Sequence, residues 1–192
     1  VGNKRQAKLY AALLHYPVYN KKMEIINTSV TNLDIHDIAR SATTYELDGY
    51  YIVQPLPEQR EMVRCIINYW HSARGAQFNP DRQKAFERVD VFESLEVMVE
   101  RITERDGQKP ALIATDARKF PNTAGYSKIR HLLREPGAYV LLFGTGWGIS
   151  RELMQQADWI LAPVYGAGEY NHLSVRSAAA IIFDRLCGEK WW

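Results

Sequence analysis

The sequence predicts an α/β fold, a mainly parallel sheet with helices on both faces, and three observations carry that prediction. Short apolar runs bounded by Gly, Pro, Asp or Asn recur along the chain, and stretches of helical period lie between them. At 192 residues, 46% of them hydrophobic, the chain is also long enough to cover a sheet on both sides.

Taken in order, strands are expected at 9–14, 50–53, 111–114, 139–143 and 159–161, with 89–92 as a further candidate. A helix is expected over 34–45, after Asn32 as cap, with Ile35, Ile38, Ala39 and Ala42 on one face. A second, over 57–73, opens with Pro57 and carries Glu58 and Glu61 where acids complement the helix dipole. Leu95, Val99 and Ile102 share a face of a third over 95–105, and a helix is expected from Ile149. The last, over 173–186, is rich in alanine and stops at Gly188. No repeat, low-complexity tract or linker divides the chain, so one domain over 1–192 is expected.

Composition excludes several classes. The longest apolar runs, 138–143 and 178–183, have six residues, far short of the roughly 20 of a membrane-spanning helix. The first residues show no export leader, and the cytoplasm is the expected compartment. Cys65 and Cys187 read as two unpaired, buried thiols. The 24 basic and 22 acidic residues nearly balance, but five Lys or Arg fall between Val1 and Met23 and five more between Ala117 and Arg134, with no acid in either stretch. The other 14 basic residues face all 22 acids, a formal −8. Segregated positive segments suit an anionic partner such as nucleic acid, and equally a solvated face.

Ligands of parallel α/β sheets bind outside the carboxyl ends of the strands. There the chain places Gly144-Thr145-Gly146-Trp147-Gly148, whose glycines allow close approach of backbone to a ligand and are expected to expose N–H groups at a helix start. A tight turn explains the same residues. The loop is a poor dinucleotide motif, because Ile149 stands where a third glycine would fall and no acid ends the next strand. A phosphate-binding G-x-x-x-x-G-K loop and a G-x-S-x-G nucleophile elbow are both missing. Asp34, His36 and Asp37 are the one grouping with metal-ligand chemistry, and an acidic helix start accounts for them; no metal is expected.

Three segments together resemble the signature motifs of the SPOUT (SpoU-TrmD-like) class of RNA methyltransferases. Ala162-Pro163-Val164, followed by Asn171-His172-Leu173-Ser174 and the alanine-rich helix, is similar to the third motif. Leu142-Phe143-Gly144-Thr145-Gly146-Trp147-Gly148 resembles the second, and the segment from Thr31 through Arg40 to Ala42 resembles the first. The likeness spans roughly residues 28–187.

The resemblance implies a C-terminal trefoil knot, with the knotted region over about 110–192, and S-adenosylmethionine as cofactor. It implies RNA, with transfer RNA favoured, as substrate and a homodimer as the working form, with no membrane partner. The cofactor would be held by Thr115, Asp116, Gly144, Thr145, Gly146, Gly148, Leu161, Ala162, Val164, Asn171, His172, Leu173 and Ser174, with Leu173 and Val164 flanking the adenine. Arg40 is the expected catalytic group, reaching into a second subunit's site, and Asn32 caps or orients. Asp34, Asp116 and Glu169 are the candidates for a general base. This chain departs from the family pattern in carrying Thr145 or Trp147 where related enzymes have Glu, and His172-Leu173-Ser174 where Ser-Leu-Asn is usual. The methyl acceptor is a ribose hydroxyl or a base. A catalytically silent module binding the cofactor and RNA is the alternative.

Overall fold

A computed structural model of the chain describes residues 5–191. Seven parallel strands form one sheet in the order β5-β4-β1-β8-β6-β9-β7, where β1 is Lys8–Leu14, β4 Gly49–Val53, β5 Val89–Phe92, β6 Ala111–Ala114, β7 Thr123–Ala124, β8 Ala138–Gly144 and β9 Trp159–Leu161. β1 and β8 are the central pair, in register from Lys8 opposite Ala138 to Leu14 opposite Gly144. A two-stranded antiparallel hairpin, β2 (Val18–Tyr19) and β3 (Ile25–Ile26), stands apart from the sheet.

The pleat of β1 explains why both faces are covered. Leu9, Ala11 and Leu13 belong to one core and Tyr10, Ala12 and Leu14 to the other, so that alternate side chains of a fully buried strand serve opposite layers. The first core holds the apolar faces of α1 (Asn32–Thr44), α2 (Pro57–His71), α4 (Pro80–Phe86), α6 (Tyr126–Leu133) and α8 (Val175–Cys187). The second holds those of α5 (Leu95–Asp106) and α7 (Arg151–Gln156). α3 (Ala73–Phe78) completes the helices, and a short 3-10 turn, Glu189–Trp191, follows α8.

Several boundaries differ from the sequence-based expectation, each for a local reason. Thr31, not Asn32, caps α1: its Oγ1 accepts the Asp34 N–H at 3.2 Å. α2 stops at His71 because extended Ser72 turns its hydroxyl to cap α3, accepting from Gly75. α7 begins at Arg151 under a Ser150 cap, and α8 at Val175 under a Ser174 cap, which leaves 171–174 extended. Cys65 is exposed on α2, with Sγ 3.7 Å from Glu61 Oε1; Cys187 is partly buried, and burial pushes its thiol up to about 11. The hairpin, α3, α4, α6 and β7 had no counterpart in the sequence-based reading.

Candidate cofactor and RNA site

The carboxyl ends of β6, β8 and β9 surround a cleft of about 770 Å³, within the size range of small-molecule sites. Three loops supply its walls: Thr115 to Arg118 after β6, Phe143 to Gly148 after β8, and Ala162 to Val164 with Asn171 to Val175 after β9. Of the predicted cofactor residues, Thr115, Asp116, Gly144, Thr145, Gly146, Gly148, Ala162, Val164, Asn171, His172, Leu173 and Ser174 all line it. Leu161 does not; it is 1% exposed and packs into the core below. The segment entering α1 adds Thr28, Ser29, Thr31 and Asp34. Asn32 is not part of the cleft wall: it is exposed on the first turn of α1, and its carbonyl accepts from His36 Nδ1.

The glycine loop works differently from the expected nest of free N–H groups. Thr145 N–H donates to Leu14 O, Trp147 N–H to Tyr19 O and Gly148 N–H to Thr145 O, so three of its donors are already used. The glycines serve close packing instead. A Cβ on Gly146, at φ +59°, would lie 2.7 Å from Tyr19 O, and one on Gly148, at φ +102°, would lie 3.0 Å from Asp116 Oδ2. The hairpin therefore abuts the loop at Gly146, and the β6–β7 loop abuts it at Gly148.

The wall after β9 is built differently. Among the described residues, no N–H from 164 to 173 donates to a backbone acceptor, while Asn171 Nδ2 ties this strap to Ala117 O at 2.7 Å. Apolar Val164, Leu173, Ala178 and Ile182 lie beside it. That apolar surface suits the faces of an adenine ring.

Carboxylates facing the cleft are all engaged. Asp116 Oδ1 accepts from the Arg118 backbone N–H and Nε, and its Oδ2 accepts from Arg118 Nη2 at 2.7 Å. Asp34, 9% exposed, pairs with Arg176 Nε at 3.3 Å, and its other oxygen accepts from Thr31 Oγ1 at 2.6 Å. Arg176 also binds Asp37 Oδ2 at 3.1 Å. Glu169 is exposed and outside the cleft wall. His36 is spent as well, because Trp70 Nε1–H donates to its Nε2 at 2.9 Å and its Nδ1 faces Asn32 O. The Asp34, His36 and Asp37 grouping therefore diverges into ion pairs and packing. Among the described residues no cluster could hold a metal ion.

The Asp34–Arg176–Asp37 triad forms a wall. On its far side a second groove of about 540 Å³ runs between α1 and α8, and Arg40 lies there with Asp37 and Ser41. Arg40 is exposed and has no side-chain partner among the described residues, and it does not line its own chain's cleft. Ser174 borders both spaces.

Sequence reasoning missed a buried polar relay beneath the glycine loop. Thr145 Oγ1 donates to Leu14 O at 2.9 Å, so Thr28 must donate to Thr145 across the 2.5 Å contact between their hydroxyls. With its one proton used, Thr28 Oγ1 accepts from His15 Nδ1 at 2.9 Å. His15 is 0% exposed and its Nε2 has no partner. Burial lowers its pKa to about 4 from 6.5, so the native state disfavours its protonation. Because the unfolded chain binds that proton more readily, stability falls as pH drops through the window from about 6.5 to about 4. Between pH 7 and pH 4 the parent is expected to lose about 3 kcal/mol more than a His15→Gln variant, a difference set by that shift. Denaturant unfolding at both pH values measures it; equal losses in the two proteins would remove His15 as the cause. No motif pointed to this relay, since His15 follows a strand with no recognisable signature.

Parallel strands whose carboxyl ends hold a nucleoside-sized cleft, walled by a glycine loop and by apolar Val164 and Leu173, define an α/β protein suited to a nucleoside cofactor. Residues 8–188 match a family described as SAM-dependent RNA methyltransferase. The chain belongs to that family, and its cofactor is S-adenosylmethionine. It is similar to an uncharacterized protein of Aquifex aeolicus, 47% identical over 179 residues that cover 93% of this chain and 87% of that one. It is also 44% identical over 181 residues to a tRNA (guanine-N(1)-)-methyltransferase of Oleidesulfovibrio alaskensis, covering 94% of this chain but 42% of the relative. The chain thus spans less than half the length of that enzyme. Among solved structures, the Aquifex aeolicus TrmH/SpoU tRNA modifying enzyme superposes with a TM-score of 0.58 at 13% identity, over 97% of this chain and 76% of that one. That likeness shows the fold.

Proposed function

We propose that the chain transfers a methyl group from S-adenosylmethionine to transfer RNA. The observation that carries this reading is the cleft itself, which brings twelve of the predicted cofactor residues to one wall-lined space in a chain of the RNA methyltransferase family. Transfer RNA is favoured by the names of the relatives 44% and 42% identical to it. The guanine-N(1) atom is not carried over, because more than half of each relative lies outside the matched length.

When bound, the cofactor supplies an electrophilic methyl on a sulfonium centre. This chain's residues would bind and orient it: Val164 and Asn171 to Leu173 would hold the adenine, and Thr145, bonded to Leu14 O, fixes the glycine loop of the same cleft. Methyl transfer to a ribose hydroxyl or to a base N–H each releases a proton, and Asp34 and Asp116, held by Arg176 and Arg118, are the carboxylates of the cleft wall placed to accept it. Arg40 is suited to stabilise negative charge that develops on the acceptor, and its place across the triad wall from its own cleft supports a homodimer in which it serves the other subunit. A C-terminal trefoil knot is consistent with the fold shared with the TrmH/SpoU enzyme. A role on transfer RNA places the protein in the cytoplasm, and among the described residues no helix is long and apolar enough to cross a membrane.

Calorimetry with S-adenosylmethionine, followed by mass spectrometry of nucleosides from tRNA treated with the protein, tests the reading. A new methylated nucleoside is the expected result, with the methyl on the ribose or on the base. Cofactor binding with an unchanged nucleoside profile would overturn the reading in favour of the silent module.

A further inference from the structure

The structure separates the two basic segments of the sequence into spent and available charge. Arg5 and Lys8 both pair with Asp48, Arg118 is held by Asp116, Lys128 lies 4.3 Å over the Trp159 ring, and Arg130 donates to Arg185 O. Lys21, Lys22 and Lys119 are exposed and have no acidic partner among the described residues. Lys4 lies outside the described residues.

The tip that carries Lys21 and Lys22 is rigid. Asn20 Oδ1 accepts from the N–H groups of Lys22 and Glu24, and Asn20 Nδ2 donates to Glu24 Oε2 at 2.7 Å. That last bond turns the one acid of the turn toward Asn20, and neither ammonium group forms an ion pair with it. The base of the hairpin is equally fixed: Tyr19 exchanges backbone hydrogen bonds with Trp147 and Gly148, its hydroxyl accepts from the Arg151 N–H, and Val18 bridges to Ile149. Trp147, 54% exposed, is therefore presented at the mouth of the cleft with the hairpin on its Gly146 side and the loop bearing Lys119 on its Gly148 side.

We infer that the β2–β3 hairpin is an RNA-docking arm, in which Lys21 and Lys22 engage phosphates of the substrate strand while Trp147 at its base stacks on a nucleotide entering the cleft. The inference rests on the RNA methyltransferase reading above and adds the surface on which the RNA lies. An aromatic face flanked by unpaired ammonium groups on both sides matches single-stranded nucleic acid, where stacking and phosphate contacts combine.

The test compares the parent with Lys21→Ala/Lys22→Ala and with Trp147→Ala, using bulk tRNA from cells lacking the gene as probe, titrated over a range of salt. The lysine pair is solvent-exposed, so the double variant keeps the fold and its affinity for S-adenosylmethionine. Its affinity for tRNA is expected to fall about tenfold, and the slope of log affinity against log salt to shrink by roughly 1.4 to 1.8, the worth of two phosphate contacts. Trp147→Ala is expected to weaken tRNA binding with the salt slope unchanged. Unaltered tRNA affinity and slope in the double variant, with methyl transfer intact, would overturn the arm and leave the enzymatic reading standing. Failure of the parent to bind tRNA or methylate it at all would instead defeat the reading on which the arm rests.

Discussion

An Arg40→Ala variant is expected to bind S-adenosylmethionine as the parent does and to lose about 10²–10³ in methyl-transfer rate, the usual cost of removing one donor to a developing oxyanion. Arg40 is exposed in the α1/α8 groove, beyond the Asp34–Arg176–Asp37 wall, so its removal leaves the cofactor cleft untouched. Mixing gives the sharper test. If Arg40 acts in the other subunit's site, co-refolding Arg40→Ala with a variant whose glycine loop cannot bind cofactor restores part of the activity, because one site of each mixed dimer is then intact. Gly146→Val suits the second role, since its side chain would meet Tyr19 O at 2.7 Å on a residue with φ +59°. Wild-type turnover by Arg40→Ala would remove it from catalysis, and absence of complementation would place its action within its own subunit.

The largest effect on stability is expected at Phe183. Its ring is fully buried on α8 and meets Phe143 of β8 edge to face, with centroids 5.7 Å apart and planes at 89°. Phe183→Ala removes that contact and leaves a cavity where α8 seats on the sheet, at a cost of about 3–5 kcal/mol. Because Val175, Ala178 and Ile182 of the same helix line the cleft, loss of the seat should also weaken cofactor binding. Urea unfolding with and without S-adenosylmethionine measures both effects. A loss below about 1 kcal/mol would show that the helix repacks without the ring. Phe183→Leu, which fills most of the space, is expected to recover the greater part of the stability.

Much of the architecture was legible before the structure. Every expected strand is present, 89–92, 111–114 and 159–161 with unchanged bounds and the other three within one residue at each end, because buried parallel strands are short, largely apolar runs whatever their neighbours do. The loops of the cofactor site were legible for a similar reason, since glycine, proline and small polar residues cluster where backbone must approach a ligand. The β2–β3 hairpin escaped notice because its strands are two residues long and its turn, Asn20-Lys21-Lys22-Met23-Glu24, reads as an ordinary polar loop. Asn32 and Asp34 show the limit more sharply. Two positions apart at the start of one helix, they differ in which side faces the cleft, and only the packing of α1 on α8 turns Asp34 inward and Asn32 out.

The sequence by itself determined the parallel α/β class, the loops that form the cofactor cleft and the charge that had to be placed somewhere. Only the tertiary structure decided which charges remain to meet a partner. Arg5 finds Asp48 43 positions away and Arg176 finds Asp37 139 positions away, whereas Lys21 and Lys22 find no acid. Ion pairing falls off over a few ångströms in space and has no dependence on separation along the chain, so neutralised and available lysines and arginines look alike in sequence and part company only when the sheet brings distant loops together.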